Sequence, residues 1–279
     1  MRHAEGNFKG AREFSIFYQY WMPDGEPKAL MLIVHGAGEH SARYRDVAAY
    51  FCAAGYLVAA LDHPGHGRSE GSYGHIDRLD DCLVTLATFQ RKLAAEFPGL
   101  PRILVGHSMG GLISGLHLLE QQDAYTGCVL SGPAIQTELE PGYVQRLLIR
   151  WLSRLMPRTG VLQLDAAGVS RDPAVVADYV SDPLVNHGKM SARMVSELFW
   201  GMQGIQASAS RISLPMLLLH GGDDAMAAPG GTLFLHEQIS SADKTLEIFP
   251  GLYHEIFNEP EREMILARVL AWCDERLPR

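Results

Sequence analysis

The chain has no excess of positive charge: 24 lysines and arginines stand against 32 acidic residues, a formal net charge of −8. A protein that binds nucleic acid needs a basic face to neutralise phosphates, so nucleic acid is not an expected partner. Cysteine is scarce. Cys52, Cys82, Cys128 and Cys273 lie far apart in apolar or helical surroundings. They have neither the paired spacing of a zinc site nor the density of a disulfide scaffold, and they read as reduced core thiols. There is no run of about 18 apolar residues to cross a bilayer. The opening "MRHAEGNFKGAREF" has no apolar signal core, so the expected location is the cytoplasm. Internal repeats and low-complexity tracts are missing too.

What is there is an ordinary globular composition. Of 279 residues, 47% are hydrophobic and 20% charged, enough to bury a large core in one domain plus an insertion. Short apolar runs ending in loops recur: "ALMLIVHG" at 29–36, "GYLVAALDHPGHG" at 55–67, "RILVGHS" at 102–108, "GCVLSG" at 127–132, "LPMLLLHGGDD" at 214–224 and "KTLEIFPG" at 244–251. Bounded by glycine and proline, such runs suit strands buried on both faces. Helical patterns over 43–54, 76–97, 111–121 and 261–277 separate several of them. The fold class is therefore α/β, with a mostly parallel central sheet flanked by helices. "EFSIFYQYW" (13–21) alternates at a period of two and suits an antiparallel strand at the front.

One stretch breaks the alternation. From 133 to 213 the chain is helical or loop-like, interrupted by Pro141, Pro157, Pro173 and Pro183. It reads as a helical cap inserted between core segments 1–132 and 214–279. Within it "YVQRLLIRWLSRLM" (143–156) sets Val144, Leu147, Leu148, Trp151, Leu152 and Leu155 on one helical face and Arg146, Arg150 and Arg154 on another. The expectation is that the apolar face packs onto its own domain with the arginines in solvent. Transient docking of the cap on a membrane surface is the alternative.

The chemistry centres on "LVGHSMGGL" (104–112), where Gly106-His107-Ser108-Met109-Gly110 is a G-x-S-x-G turn between a strand and a helix. In that setting the serine hydroxyl projects above the sheet, and small neighbours are needed because side chains there collide. A serine hydroxyl is a poor nucleophile near neutral pH, so it needs a histidine base and a carboxylate to orient that base. The order in this fold is Ser, acid, His, each in a loop after a later strand. "LPMLLLHGGDDAM" supplies Asp223 and Asp224 at a strand end, and "KTLEIFPGLYHEIF" supplies His254 beyond the next strand, with room for a helix at 232–240 between them. Either aspartate fits. The glycine-rich loop "VHGAGEH" (34–40) offers the Ala37 N–H as a partner for the Met109 N–H in an oxyanion hole. His63, His66 and His75 cluster in sequence, yet H-E-x-x-H is absent and carboxylates at ligand spacing are missing, so no metal is expected.

With these pieces placed, the chain resembles the α/β-hydrolase superfamily and, within it, the monoacylglycerol lipase group of monoglyceride lipases and lysophospholipases. The matching stretches are "HGAGEHSARY" (35–44), "DHPGHGRSEG" (62–71), "GHSMGG" (106–111), "SDPL" (181–184), "GGDD" (221–224) and "DKTLEIFPGLYHEIFNE" (243–259), which span most of the chain. The resemblance implies Ser108 as nucleophile, Asp224 rather than Asp223 as the acid, His254 as base, and Ala37 and Met109 as oxyanion donors. It also implies that Glu39 and Arg43 help hold glycerol hydroxyls and that Tyr179 lies in the cap near the glycerol exit. For Glu39 and Arg43 the plainer alternative is an i,i+4 ion pair that fixes the loop. The chain departs from the animal relatives at Phe257, where a second histidine commonly follows the catalytic one, and in the acid loop, which continues "AMAAPGG".

The expected reaction is hydrolysis of a monoacylglycerol through an acyl-enzyme, with no cofactor. Lysophospholipids and simple carboxylic esters are rival substrates, and a non-catalytic hydrolase-like binding protein is the rival of a different class. Leu147, Leu148, Trp151, Leu152, Leu155, Val161, Leu162 and Leu164 are the expected walls for the acyl chain.

Overall fold

The strands, in chain order, are β1 (Arg2–Lys9), β2 (Ser15–Met22), β3 (Ala29–Val34), β4 (Tyr56–Leu61), β5 (Arg102–His107), β6 (Gly127–Ser131), β7 (Gly160–Leu162), β8 (Met190–Ser191), β9 (Met216–Gly221) and β10 (Lys244–Phe249). The helices are α1 (Arg45–Ala53), α2 (Leu79–Glu96), α3 (Met109–Gln121), α4 (Tyr143–Leu155), α5 (Pro173–Ser181), α6 (Ala192–Ser208), α7 (Pro229–Gln238) and α8 (Arg262–Arg276). The structure, a computed structural model, describes residues 1–136 and 142–278; Pro141 and the side chain of Val144 lie outside the described residues.

Eight strands form one sheet in the order β1-β2-β4-β3-β5-β6-β9-β10. From β4 to β10 every pairing is parallel, while β2 runs antiparallel to both β1 and β4. The apolar runs are continuous because both faces of the sheet are covered. Along β3, Leu30, Leu32 and Val34 enter one core with Leu86 and Phe89 of α2 and Leu112 of α3. Met31 and Ile33 enter the other, with Val47 and Phe51 of α1 and Val269 of α8. All four cysteines are buried and free. No helix among the described residues is long and apolar enough to cross a membrane.

β1 has no counterpart among the expected strands. It pairs with β2 along its whole length, from Arg2 opposite Met22 to Lys9 opposite Ser15, but it is an edge strand of polar residues that buries little. An edge carries charge to discourage pairing with other chains, and that removes the apolar signal by which strands are read. α7 starts at Pro229, three residues before the expected start. Proline suits a first helical position because its fixed φ is helical and the N–H it lacks has no partner there.

Between β6 and β9 the chain leaves the sheet and forms α4, α5, α6 and a short antiparallel ribbon of β7 with β8. α6 packs on α3 and carries α4 on top. Here the expectation for the amphipathic helix is corrected. Leu148, Trp151 and Leu155 of α4 are 62%, 60% and 71% exposed, while Ile149, Leu152 and the buried Ser153 turn inward. Arg146 lies over the Phe199 ring at 5.6 Å. α4 rests chiefly on one neighbour, so it buries a narrow stripe, and that stripe is offset from the centre of the wide apolar face.

Candidate active site

The loops that follow β3, β5, β9 and β10 open on one rim, the carboxyl ends of the parallel strands, where doubly covered sheets bind ligands. Ser108 follows β5 directly as the residue before α3, with φ 53° and ψ −120°. A side chain costs on the order of 1–3 kcal/mol in such a conformation. The surroundings hold it there. The Ser108 N–H donates to Ser131 O (3.1 Å), and its carbonyl accepts from Gly111 (2.9 Å), Leu112 (3.2 Å) and Ala134 (3.0 Å). The glycines of the motif are steric requirements: a Cβ on Gly110 would sit 2.0 Å from Val34 O, and one on Gly106 would sit 2.5 Å from Ser114 Oγ. The turn therefore presses against the end of β3, which brings the 36–40 loop beside Ser108.

Asp224 ends the turn after β9 and is buried, whereas Asp223 is exposed. The His254 Nδ1–H donates to Asp224 Oδ2 at 2.6 Å, which leaves Nε2 as the basic nitrogen because a carboxylate can only accept. Asp224 Oδ1 accepts from the N–H groups of Met226 (2.7 Å) and Ala227 (3.0 Å). A second imidazole, His220 of β9, lies 2.9 Å from Oδ2. Burial opposes ionisation of Asp224, but these donors outweigh it and hold the carboxyl well below the usual carboxylate range. Asp224 is thus a permanent anion at neutral pH. His254 lines the same cavity as Ser108, and its ring packs 4.6 Å from that of His107. Burial, with His254 nearby, pushes the His107 imidazole down to about 4, so it stays neutral beside any charge that forms on His254.

The loop after β3 is tied down by ion pairs. Glu39 accepts from the Gly36 N–H (2.6 Å) and the Tyr44 hydroxyl (2.7 Å), and also from Arg43 (2.8 Å). Arg43 continues to Glu255 through two hydrogen bonds, 2.5 and 2.7 Å, and stacks over the Tyr179 ring at 4.7 Å. Both glutamates are almost fully buried. Burial disfavours the charge of Glu39, but the Arg43 guanidinium overcomes this and pulls its carboxyl down to about 2. Glu255, two positions from Phe257, belongs to this network and was not singled out from the sequence.

Ala37, Ser108, Met109 and His254 share a cavity of about 330 Å³. Its walls come mainly from α6 (Val195, Leu198, Phe199, Met202), from Met190 and from the acid loop at Ala225 to Ala228, with Ile149 from α4. Of the expected acyl-chain walls, Leu162 and Leu164 line it; Leu147, Leu148, Trp151, Leu155 and Val161 are exposed outside it, and Leu152 does not reach it. A small recess of about 10 Å³ adjoins the same serine and is lined by Gly36, Glu39, Tyr179 and Glu255. The early histidines have separate partners. His63 and His66 pack against His35, with ring centres 4.5 and 5.4 Å from it, while His75 bonds Ser191 and Asp77.

A serine on a strained strand–helix turn, with an imidazole and a carboxylate from later strand ends over a doubly covered parallel sheet, defines an α/β hydrolase. The family described as serine aminopeptidase, S33, matches residues 25–261. A monoacylglycerol lipase of Mycolicibacterium smegmatis is 40% identical over 98% of both chains, and the human monoglyceride lipase is 32% identical over 94% of this chain and 87% of its own. Among solved structures, the monoacylglycerol lipase of Paleococcus ferrophilus superposes with a TM-score of 0.82 at 30% identity, covering 99% of this chain and 100% of its own. The chain belongs to the monoacylglycerol lipase family of α/β hydrolases.

Proposed function

We propose that the chain hydrolyses the ester bond of monoacylglycerols, releasing a fatty acid and glycerol through an acyl-enzyme on Ser108. The observation that carries this reading is the apolar cavity of about 330 Å³ that has Ser108 and His254 in its wall, with Asp224 bonded behind the imidazole. His254 Nε2 takes the Ser108 proton as the oxygen attacks the ester carbonyl. The oxyanion is met by the N–H groups of Ala37 and Met109, the latter at the first position of α3, where helix N–H groups have no partner within the helix. His254 then protonates the departing glycerol and later draws a proton from the water that releases the fatty acid.

The acyl chain occupies the cavity beneath α6, where each buried methylene contributes about 0.8 kcal/mol. Segment 133–213 acts as the cap that closes it. Glu39 and Tyr179 face the recess beside Ser108, where a glycerol hydroxyl sits, and Arg43 holds Glu39 in place from behind. Release of fatty acid from 1-monooleoylglycerol, dioleoylglycerol, lysophosphatidylcholine and a short nitrophenyl ester tests the assignment. The monoacylglycerol is expected to give the highest kcat/KM, and a preference for lysophosphatidylcholine would overturn it.

The outward face of α4 supports a membrane surface as the place where substrate is met. Leu148, Trp151, Leu155 and Met156 are all more than half exposed, and Arg150, Arg154 and Arg158 surround them in solvent, a combination suited to anionic lipid headgroups. Ile149 of the same helix lines the cavity, so a lipid lifted from that surface has a short path inward. The free cysteines fit a reducing compartment, the cytoplasm. Trp151→Glu removes about 2 kcal/mol or more of apolar transfer and is expected to weaken cosedimentation with phosphatidylglycerol vesicles by about tenfold or more. Hydrolysis of the short soluble ester should stay unchanged; equal vesicle binding by both proteins would sink the docking role.

A further inference from the structure

Asp224 receives one donor more than its turn and its histidine partner supply. Its Oδ2, already bonded by His254 at 2.6 Å, is also 2.9 Å from His220 Nε2. That nitrogen lies 3.0 Å from Ala227 O as well, and His220 Nδ1 lies 2.6 Å from Thr232 Oγ1 of α7. The tautomer follows from the partners. A carboxylate and a carbonyl only accept, so Nε2 carries the proton, and Nδ1 must accept from the threonine hydroxyl. The result is a directed chain: the Thr232 O–H donates to His220, the single His220 N–H is shared between the Ala227 carbonyl and Asp224 Oδ2, and the His254 N–H donates to that same Asp224 oxygen. His220 is fully buried and is absent from the cavity wall, so it touches no substrate. A buried imidazole near the end of a strand that is paired on both sides is a costly filler where leucine would pack, unless its hydrogen bonds have a use.

We propose that His220, fixed by Thr232, is a positioning residue that pins Asp224 Oδ2 where the His254 Nδ1–H must meet it and takes up part of the carboxylate's charge. This rests on the triad reading given under the proposed function. Two consequences follow. Without His220 the carboxylate can swing, and His254 loses the orientation that aims Nε2 at Ser108. The carboxylate also gives its full charge to His254, which favours the imidazolium and delays the appearance of the free base as pH rises. The titratable groups facing the pair are few. Asp224 meets His220 and His254; His254 also meets His107, and Glu39, Tyr179 and Glu255 line the recess that His107 and His254 share.

The test uses the full chain with His220→Ala, His220→Gln and Thr232→Val, measuring kcat, KM and the pH profile of kcat/KM on a short nitrophenyl ester, with thermal melting alongside. His220→Ala is expected to lower kcat by about tenfold to a hundredfold, the scale of a misaimed catalytic group, with KM little changed. The acid limb of the profile should move to higher pH. Glutamine can present an N–H at the position of Nε2, so His220→Gln should recover most of kcat and return the limb. Thr232→Val should shift both in the direction of alanine, by less. An unmoved kcat and acid limb in His220→Ala, or glutamine no better than alanine, overturns the proposal. If His220→Ala does not fold, Thr232→Val and His220→Gln decide it: a wild-type profile in Thr232→Val, or a glutamine variant that folds yet is as slow as a misaimed triad, counts against it. Fluorophosphonate labelling of the wild-type chain separates the two levels. Failure to label Ser108 removes the triad reading itself, whereas a labelled enzyme indifferent to His220 removes only this inference.

Discussion

Ser108→Ala is expected to lower kcat on 1-monooleoylglycerol by about a millionfold, as loss of the nucleophile does in serine triads, while the chain remains folded. Both halves of that expectation have a structural cause. The groups that hold the turn are the backbone N–H and carbonyl of residue 108, bonded to Ser131, Gly111, Leu112 and Ala134, and alanine keeps all of them. The positive φ of 53° strains alanine much as it strains serine, so stability should shift little. On the proposed reading the hydroxyl carries the reaction, since among the described residues Ser108 is the one serine in the cavity wall. Fatty-acid release measured beside a melting curve checks both parts; a folded variant that still turns over would refute the nucleophile.

Asp224→Asn is the second large effect, about 10⁴-fold in kcat. Asp224 is ringed by donors: Met226 and Ala227 N–H on Oδ1, and the two imidazoles on Oδ2. An amide has one accepting oxygen. If that oxygen keeps the backbone donors, the amide N–H groups face two ring nitrogens that were themselves donating. His254 must then accept at Nδ1 and carry its proton on Nε2, the wrong tautomer to take one from Ser108. The folded state suffers as well, since a misfit donor pair in a buried site costs about 1–3 kcal/mol. Asp223→Asn is the matched control. Its side chain is in solvent, so kcat should be that of the parent, and parallel losses in the two variants would mean the acid has been assigned to the wrong loop position.

The features legible in the sequence were those that leave a steric or chemical trace. Gly106 and Gly110 are written into the motif because a Cβ at either would collide with backbone or a packed side chain, and the run of buried positions in β3 is visible as unbroken hydrophobicity. Asp223 and Asp224 could not be told apart from their surroundings in sequence; adjacent loop residues differ only in which way they point, and the family resemblance was needed to choose. β1 stayed hidden because an edge strand has almost nothing apolar to show. The face of α4 was misassigned for a different reason. Periodicity reveals that a helix has an apolar side, but not which part of that side a neighbouring helix covers. The cavity walls on α6 and the place of His220 beside Asp224 were missed because Met202, Leu198 and a histidine inside "MLLLHG" read as ordinary core.

The most direct single measurement is the intact mass of the wild-type chain after reaction with an alkyl fluorophosphonate, followed by peptide mapping of the adduct. One adduct per chain on Ser108, formed in step with loss of monoacylglycerol hydrolysis, is the expected result. An enzyme that is fully active yet unlabelled, or labelled at a different residue as activity falls, would contradict the account.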